Sequence, residues 1–185
     1  MTIKIDLRDR LIALTIAELE AGNAEPSLRE IARKAGVSAM APYRHFSDKA
    51  ALLTAVVITG FRLLQESLDR ADRSAGGREA LIAQGLAYIA FARANPALFH
   101  LMFAHAEAGD KSNAPHDLSE AEGYSILKRR LVETTGFDEK IAAPGCWALV
   151  HGLAILQRDR KLDLTHDEQR QVLDLMTRGL EPTKC

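Results

Sequence analysis

Apolar positions along this chain recur every three to four residues, the period of a helix buried on one side. Leu7, Leu11, Ile12, Leu14, Ala17 and Leu19 trace such a stripe between Asp6 and Ala21. Asp6 and Asp9 stand at its start, where carboxylates suit the helix dipole, and Gly22-Asn23 closes it. No run alternates Val, Ile and Thr between turns, so strand content should be close to nil. The pattern predicts an all-α fold of about nine helices: 6–21, 27–34, 38–45, 48–73, 77–93, 96–106, 117–135, 138–160 and 166–179. Residues 107–116, with Gly109, Asp110, Ser112, Asn113 and Pro115, read as a loop, and Ser74-Ala75-Gly76-Gly77 as a second break. Residues 1–50 form one predicted domain and 51–185 another, with the long fourth helix leading from one into the other.

The stretch Ser27–Leu53 carries the chemistry. Ser27 has Glu30 three residues on, the pattern of a capping box. Leu28, Ile31 and Ala32 turn one face inward, and Gly36 is free to take a left-handed turn conformation. Ser38 then caps a second short helix that ends near Phe46. Two short helices about a glycine turn make a helix-turn-helix; an ordinary helical hairpin inside a bundle fits the same pattern. Pro42 is out of place inside the second helix, since it removes a backbone donor and crowds the carbonyl of Ser38.

Composition bounds the partners. The 185 residues are 47% hydrophobic and 26% charged with a net charge of -1, a soluble globular balance. Yet Ser27–Lys49 holds five basic residues against two acidic ones, a local +3, which admits an anionic partner at that end. The longest nearly uncharged stretch, Ala50–Phe61, falls short of the ~20 residues of a membrane span, so no membrane partner is expected. Met1–Arg8 has no apolar run of signal type, and Cys146 and Cys185 give neither a disulfide framework nor a metal pair. A cytoplasmic chain is expected. The six histidines have no H-E-x-x-H spacing, and there is no Gly-rich phosphate loop or G-x-S-x-G. No catalytic residues, metal or cofactor are expected.

Gly36-Val37-Ser38, then Tyr43-Arg44-His45-Phe46, then Lys49 followed by Ala51-Leu52-Leu53, resembles the DNA-binding domain of the tetracycline-repressor (TetR) family of bacterial transcription regulators. The resemblance runs from about Arg8 to Ala55. It implies that Tyr43, His45 and Lys49 clamp the DNA backbone, and Ser27 offers a hydroxyl to the same backbone. The residue chemistry agrees: Tyr43 and His45 donate to phosphate oxygens, and a phosphate beside Lys49 relieves a cation in a helix's first turn. Base reading falls to Ser38, Ala39, Met40 and Arg44. Arg44 alone reaches guanine in bidentate fashion, though a phosphate contact or a surface ion pair suits it as well. Ala39 and Met40 offer only apolar contact.

The resemblance also implies a C-terminal half that dimerises and binds a small effector. Trp147-Ala-Leu-Val-His151-Gly152 is similar to a subgroup with a Trp-x-x-x-His-Gly signature. Trp147 and His151 share a helix face; a core tryptophan beside a satisfied histidine gives the same pattern. Phe61, Tyr88, Phe91, Phe99, His100, Met102 and Phe103, with Trp147 and His151, are the expected effector pocket. Helices 138–160 and 166–179 are the expected homodimer interface. The implied function is a DNA-binding regulator, a repressor on a palindromic double-stranded operator, released by its effector. The competing reading is a helical ligand-binding or scaffold protein with a vestigial helix-turn-helix.

Overall fold

The computed structural model describes residues 6–107, 122–135 and 137–180. Among the described residues all regular structure is helical: α1 Leu7–Glu20, α2 Leu28–Lys34, α3 Lys49–Arg73, α4 Gly77–Ala94, α5 Pro96–Glu107, α6 Glu122–Thr135, α7 Glu139–Arg158 and α8 His166–Arg178. Each answers to a predicted helix within a few residues, α6 over its described part; the loop expected after α5 lies outside the described residues.

The predicted helix at 38–45 differs. Ser38–Ala41 forms a turn, and Pro42–Arg44 a single 3-10 turn. Pro42 has no N–H to give the Ser38 carbonyl, which accepts instead from Ala41 N at 3.0 Å. The same three-residue closure repeats from Arg44 N to Ala41 O at 3.2 Å and from His45 N to Pro42 O at 2.9 Å.

Two compact units form: Met1–Phe61 with Asn95–His116, and Arg62–Ala94 with Asp117–Cys185. In the first, α1 packs on α2 and α5. Leu11, Ile31, Ala32, Leu52, Val56 and Val57 are fully buried there. Pro96 opens α5, where its missing N–H costs nothing. The next amides, Ala97 N and Leu98 N, donate to the Glu20 carboxylate at 3.3 and 2.9 Å, so the last turn of α1 caps α5. Gly60 lets α3 and α5 approach closely, since a Cβ there would lie 2.7 Å from Met102 Sδ.

In the second unit α4 packs on α6, α7 and α8. Leu81, Leu131, Ala142 and Ala143 make a core cluster, with Tyr124, Leu127, Cys146 and Leu180 against it. Asp72, 2% exposed, is held by Gln84 of α4 and by Arg129 and Arg130 of α6. The Arg130 guanidinium is the main cause that holds its carboxyl below the usual range, against the effect of burial. Ion pairs Arg78–Asp174 and Arg170–Glu79 tie α4 to α8.

By length and hydropathy alone α3 would suffice to cross a membrane, since Arg62 interrupts the apolar run without ending it. Its Leu52, Val56, Val57, Leu64 and Leu68 are buried in protein, while Ile58 is exposed, as in a helix that buries one face.

Candidate nucleic-acid interface

The capping box predicted at α2 forms. Ser27 N donates to Glu30 Oε2 at 2.9 Å, and Glu30 N donates to Ser27 Oγ at 3.2 Å. Donation from the Ser27 amide, then from its hydroxyl, depresses the Glu30 carboxyl. The Ser27 hydroxyl also donates to Glu30 Oε2 at 2.8 Å, so its proton is engaged within the protein.

α2 ends on Gly36, at φ +66°. Gly36 N donates to Arg33 O at 3.1 Å and Val37 N to Ala32 O at 3.0 Å, the paired bonds of a Schellman cap. A side chain at Gly36 would strain this turn, which sets the direction in which Ser38 leaves.

Beyond the turn, exposed and buried residues separate the contacts from the anchors. Ser38, Ala39, Met40, Tyr43, Arg44 and His45 are exposed, while Pro42 and Phe46 are buried and Ala41 half-buried. Phe46, 4% exposed, anchors the segment, and the Arg8 guanidinium of α1 lies over its ring at 5.5 Å. Met40 is 70% exposed and Tyr43 42%.

Asp48 caps α3 by accepting from Ala51 N at 2.8 Å, which sets Lys49 in the first helical turn. Lys49 Nζ lies 3.5 Å from Glu25, itself 88% exposed and so readily displaced. An open cleft is lined by Ser27, Leu28, Arg29, Tyr43, Asp48 and Lys49. Three of the four expected backbone clamps therefore meet at one cleft. Sequence reading missed Arg29; its only signal was its place in the basic segment, directly behind the Ser27 cap. Among the described residues neither Arg29 nor Arg44 has an ion-pair partner.

The residues of the expected effector pocket fall in both units. In the first, Phe99 and Met102 are fully buried, and Phe103 packs on Phe99 and on Phe61 with ring centroids 4.8 and 5.7 Å apart. His100 is exposed. In the second, Phe91 is buried and Tyr88 joins the predicted Trp147–His151 pair. Trp147 Nε1 donates to Tyr88 Oη at 3.3 Å, and Tyr88 Oη lies 2.8 Å from His151 Nδ1. The direction of that second bond follows the imidazole tautomer: a neutral ring unprotonated at Nδ1 accepts from the phenol. Burial, then the positive charge of Arg158, lowers the His151 pKa in agreement, and burial pushes the Tyr88 phenol far up. Tyr124 meets Trp147 edge-on at 6.5 Å; a lone tyrosine in a polar segment gave no sequence signal. Among the described residues no group of three or more His, Cys, Asp or Glu is placed to hold a metal.

Among the described residues, an all-helical fold carries exposed polar and cationic groups on α2 and on the turn and 3-10 segment that follow it, the arrangement expected of a DNA-binding transcription regulator. Residues 15–56 match the bacterial regulatory proteins of the tetR family, and residues 81–180 match the tetracyclin repressor-like C-terminal domain. The chain belongs to the TetR family, whose members are regulators and not enzymes. Comparison with curated proteins gives no match. Among solved structures, it is similar to a protein of unknown function from Rhodococcus sp. RHA1, at 32% identity over 96% of each chain and a TM-score of 0.84. It shares its fold with a bacterial regulatory protein of the TetR family from Rhodococcus RHA1, at 18% identity, TM-score 0.72, over 96% of this chain and 98% of that one. It also shares it with the TetR family transcriptional regulator PfmR from Thermus thermophilus, at 22% identity, TM-score 0.69, over 94% and 100%.

Proposed function

We propose that the chain is a homodimeric repressor that clamps a palindromic operator and leaves it when a small effector binds. The observation that carries the reading is the cleft where Ser27, Arg29, Tyr43 and Lys49 meet. A phosphate at that cleft accepts from the Tyr43 hydroxyl and from Lys49, while His45 donates to the backbone beside it. Glu25 gives way, since an exposed pair 3.5 Å apart is worth little. The engaged Ser27 hydroxyl positions α2 in this reading and does not itself donate. Ser38, Ala39, Met40 and Arg44 face the bases, and the functional boundary lies near residue 50.

The dimer rests on α7 and α8. Ile141 and Leu156 of α7, and Leu175 and Met176 of α8, are exposed apolar residues. A Cβ at Gly145 or Gly152 of α7 would meet nothing within 4 Å, so a partner helix has room to approach. For the effector, Tyr88, Trp147 and His151 supply the polar groups of a largely apolar site, which supports the reading of a Trp-x-x-x-His-Gly subgroup. The protein acts in the cytoplasm, where its operator lies.

Selection of bound fragments from the source genome tests the reading. A two-fold motif with half-sites about one DNA turn apart supports it. Recovery of no enriched fragment, with a stable monomer in sedimentation, refutes it.

A further inference from the structure

We propose that Met40 reads the C5-methyl group of a thymine in the major groove of each operator half-site. The inference rests on the DNA-binding reading above and adds the base feature that is recognised. Among the described residues of its unit, Met40 is the most exposed large apolar side chain, at 70%. Its exposure follows from the local sequence. Pro42 is buried, and without its N–H the Ser38 carbonyl closes on Ala41 N, so residues 39 and 40 stand at the tip of a tight turn.

The surroundings select the occupant. Arg29, Arg33 and Arg44 are exposed cations on the same helix-turn-helix, and His45 is exposed beside them. An apolar tip within a cationic segment suits the groove of a polyanion better than an apolar protein face. In the major groove the thymine methyl is the one apolar feature that a base pair presents. A thioether on three rotatable bonds adapts to it without demanding a hydrogen bond. Neighbouring Ala39 and half-buried Ala41 are too short to reach as far.

The test uses the full-length protein and the tightest duplex recovered by selection from random DNA. Each thymine is replaced in turn by deoxyuridine, which deletes the methyl and keeps every hydrogen-bonding edge. One position per half-site should then lose roughly three- to fivefold in affinity, the worth of one buried methyl group. In Met40→Ala that position should become insensitive to the replacement, while Met40→Leu keeps part of the sensitivity. No sensitive thymine in the wild-type protein, or equal sensitivity in Met40→Ala, overturns the proposal and leaves DNA binding standing. Failure to recover any duplex overturns the DNA-binding reading and the proposal together.

Discussion

Replacing Asp72 by asparagine should cost the fold about 3 kcal/mol. Oδ1 of Asp72 accepts from Gln84 Nε2 and Arg130 Nε, both at 2.8 Å. Oδ2 accepts from Arg129 Nη2 at 2.9 Å and Arg130 Nη2 at 3.0 Å. An asparagine keeps one oxygen, so two donors must face its NH2 whichever way it turns. Removing one partner of a buried ion pair costs about 3 to 5 kcal/mol. The lower end applies, because Arg129 is 52% exposed and Glu133 stays 3.0 Å from Arg130. Urea unfolding at pH 7 reads the loss directly, and the midpoint of thermal unfolding should drop by roughly 6 to 12 °C. Asp72→Leu with Arg130→Met, which removes both charges, should recover most of it. The pH dependence carries a sign. Asp72 has a depressed folded pKa, so its contribution is present above its unfolded value of about 3.9 and is lost as pH falls through the folded one. Wild type and variant should therefore converge in acid. A loss under ~1 kcal/mol at pH 7 would refute the reasoning.

Gly36→Ala should destabilise by about 1 to 2 kcal/mol through its positive φ, and weaken DNA binding with it; chemical unfolding and fluorescence anisotropy check the two effects. Arg44→Ala should relax preference at one base pair per half-site at roughly 1 to 3 kcal/mol, measured by comparing operator with single-base variants. An equal loss on all DNA would make Arg44 a phosphate contact. Leu175→Glu should shift sedimentation from dimer to monomer, because it puts a charge in an apolar interface expected to bury on the order of 1,200 Å² or more.

Much of this was legible in the sequence because it is local. Helix ends at Ser27 and Gly36 are written by caps that act within five residues, and each forms. Pro42 was equally local, yet its outcome turned on a balance: one missing N–H converts a helix to a turn and a 3-10 turn when only eight residues are available to build it. The partners of Asp72 were not legible, for Arg130 lies 58 residues away and an arginine in a charged helix gives no sign of inward aim. Nor was the union of α5 with α1, since Glu20 caps an amide 78 residues distant. For Trp147 and His151 the i, i+4 spacing gave the shared face but not the hydrogen bonds they make with Tyr88 of another helix. His100 shows the limit of reading a pocket from composition: a titratable group among aromatics turned out exposed.

The central claim, that Lys49 and its neighbours grip a phosphate backbone, is tested most directly by salt. Affinity for a fixed operator duplex is measured across ionic strength for the wild-type protein and for Lys49→Ala. Counterion release makes log Kd linear in log salt, and each lost phosphate contact lowers the slope by about 0.9. The account predicts a steep wild-type slope, a slope in Lys49→Ala lower by about one per half-site, and the same drop on nonspecific DNA. A wild-type slope near zero, or identical slopes for the two proteins, would contradict it.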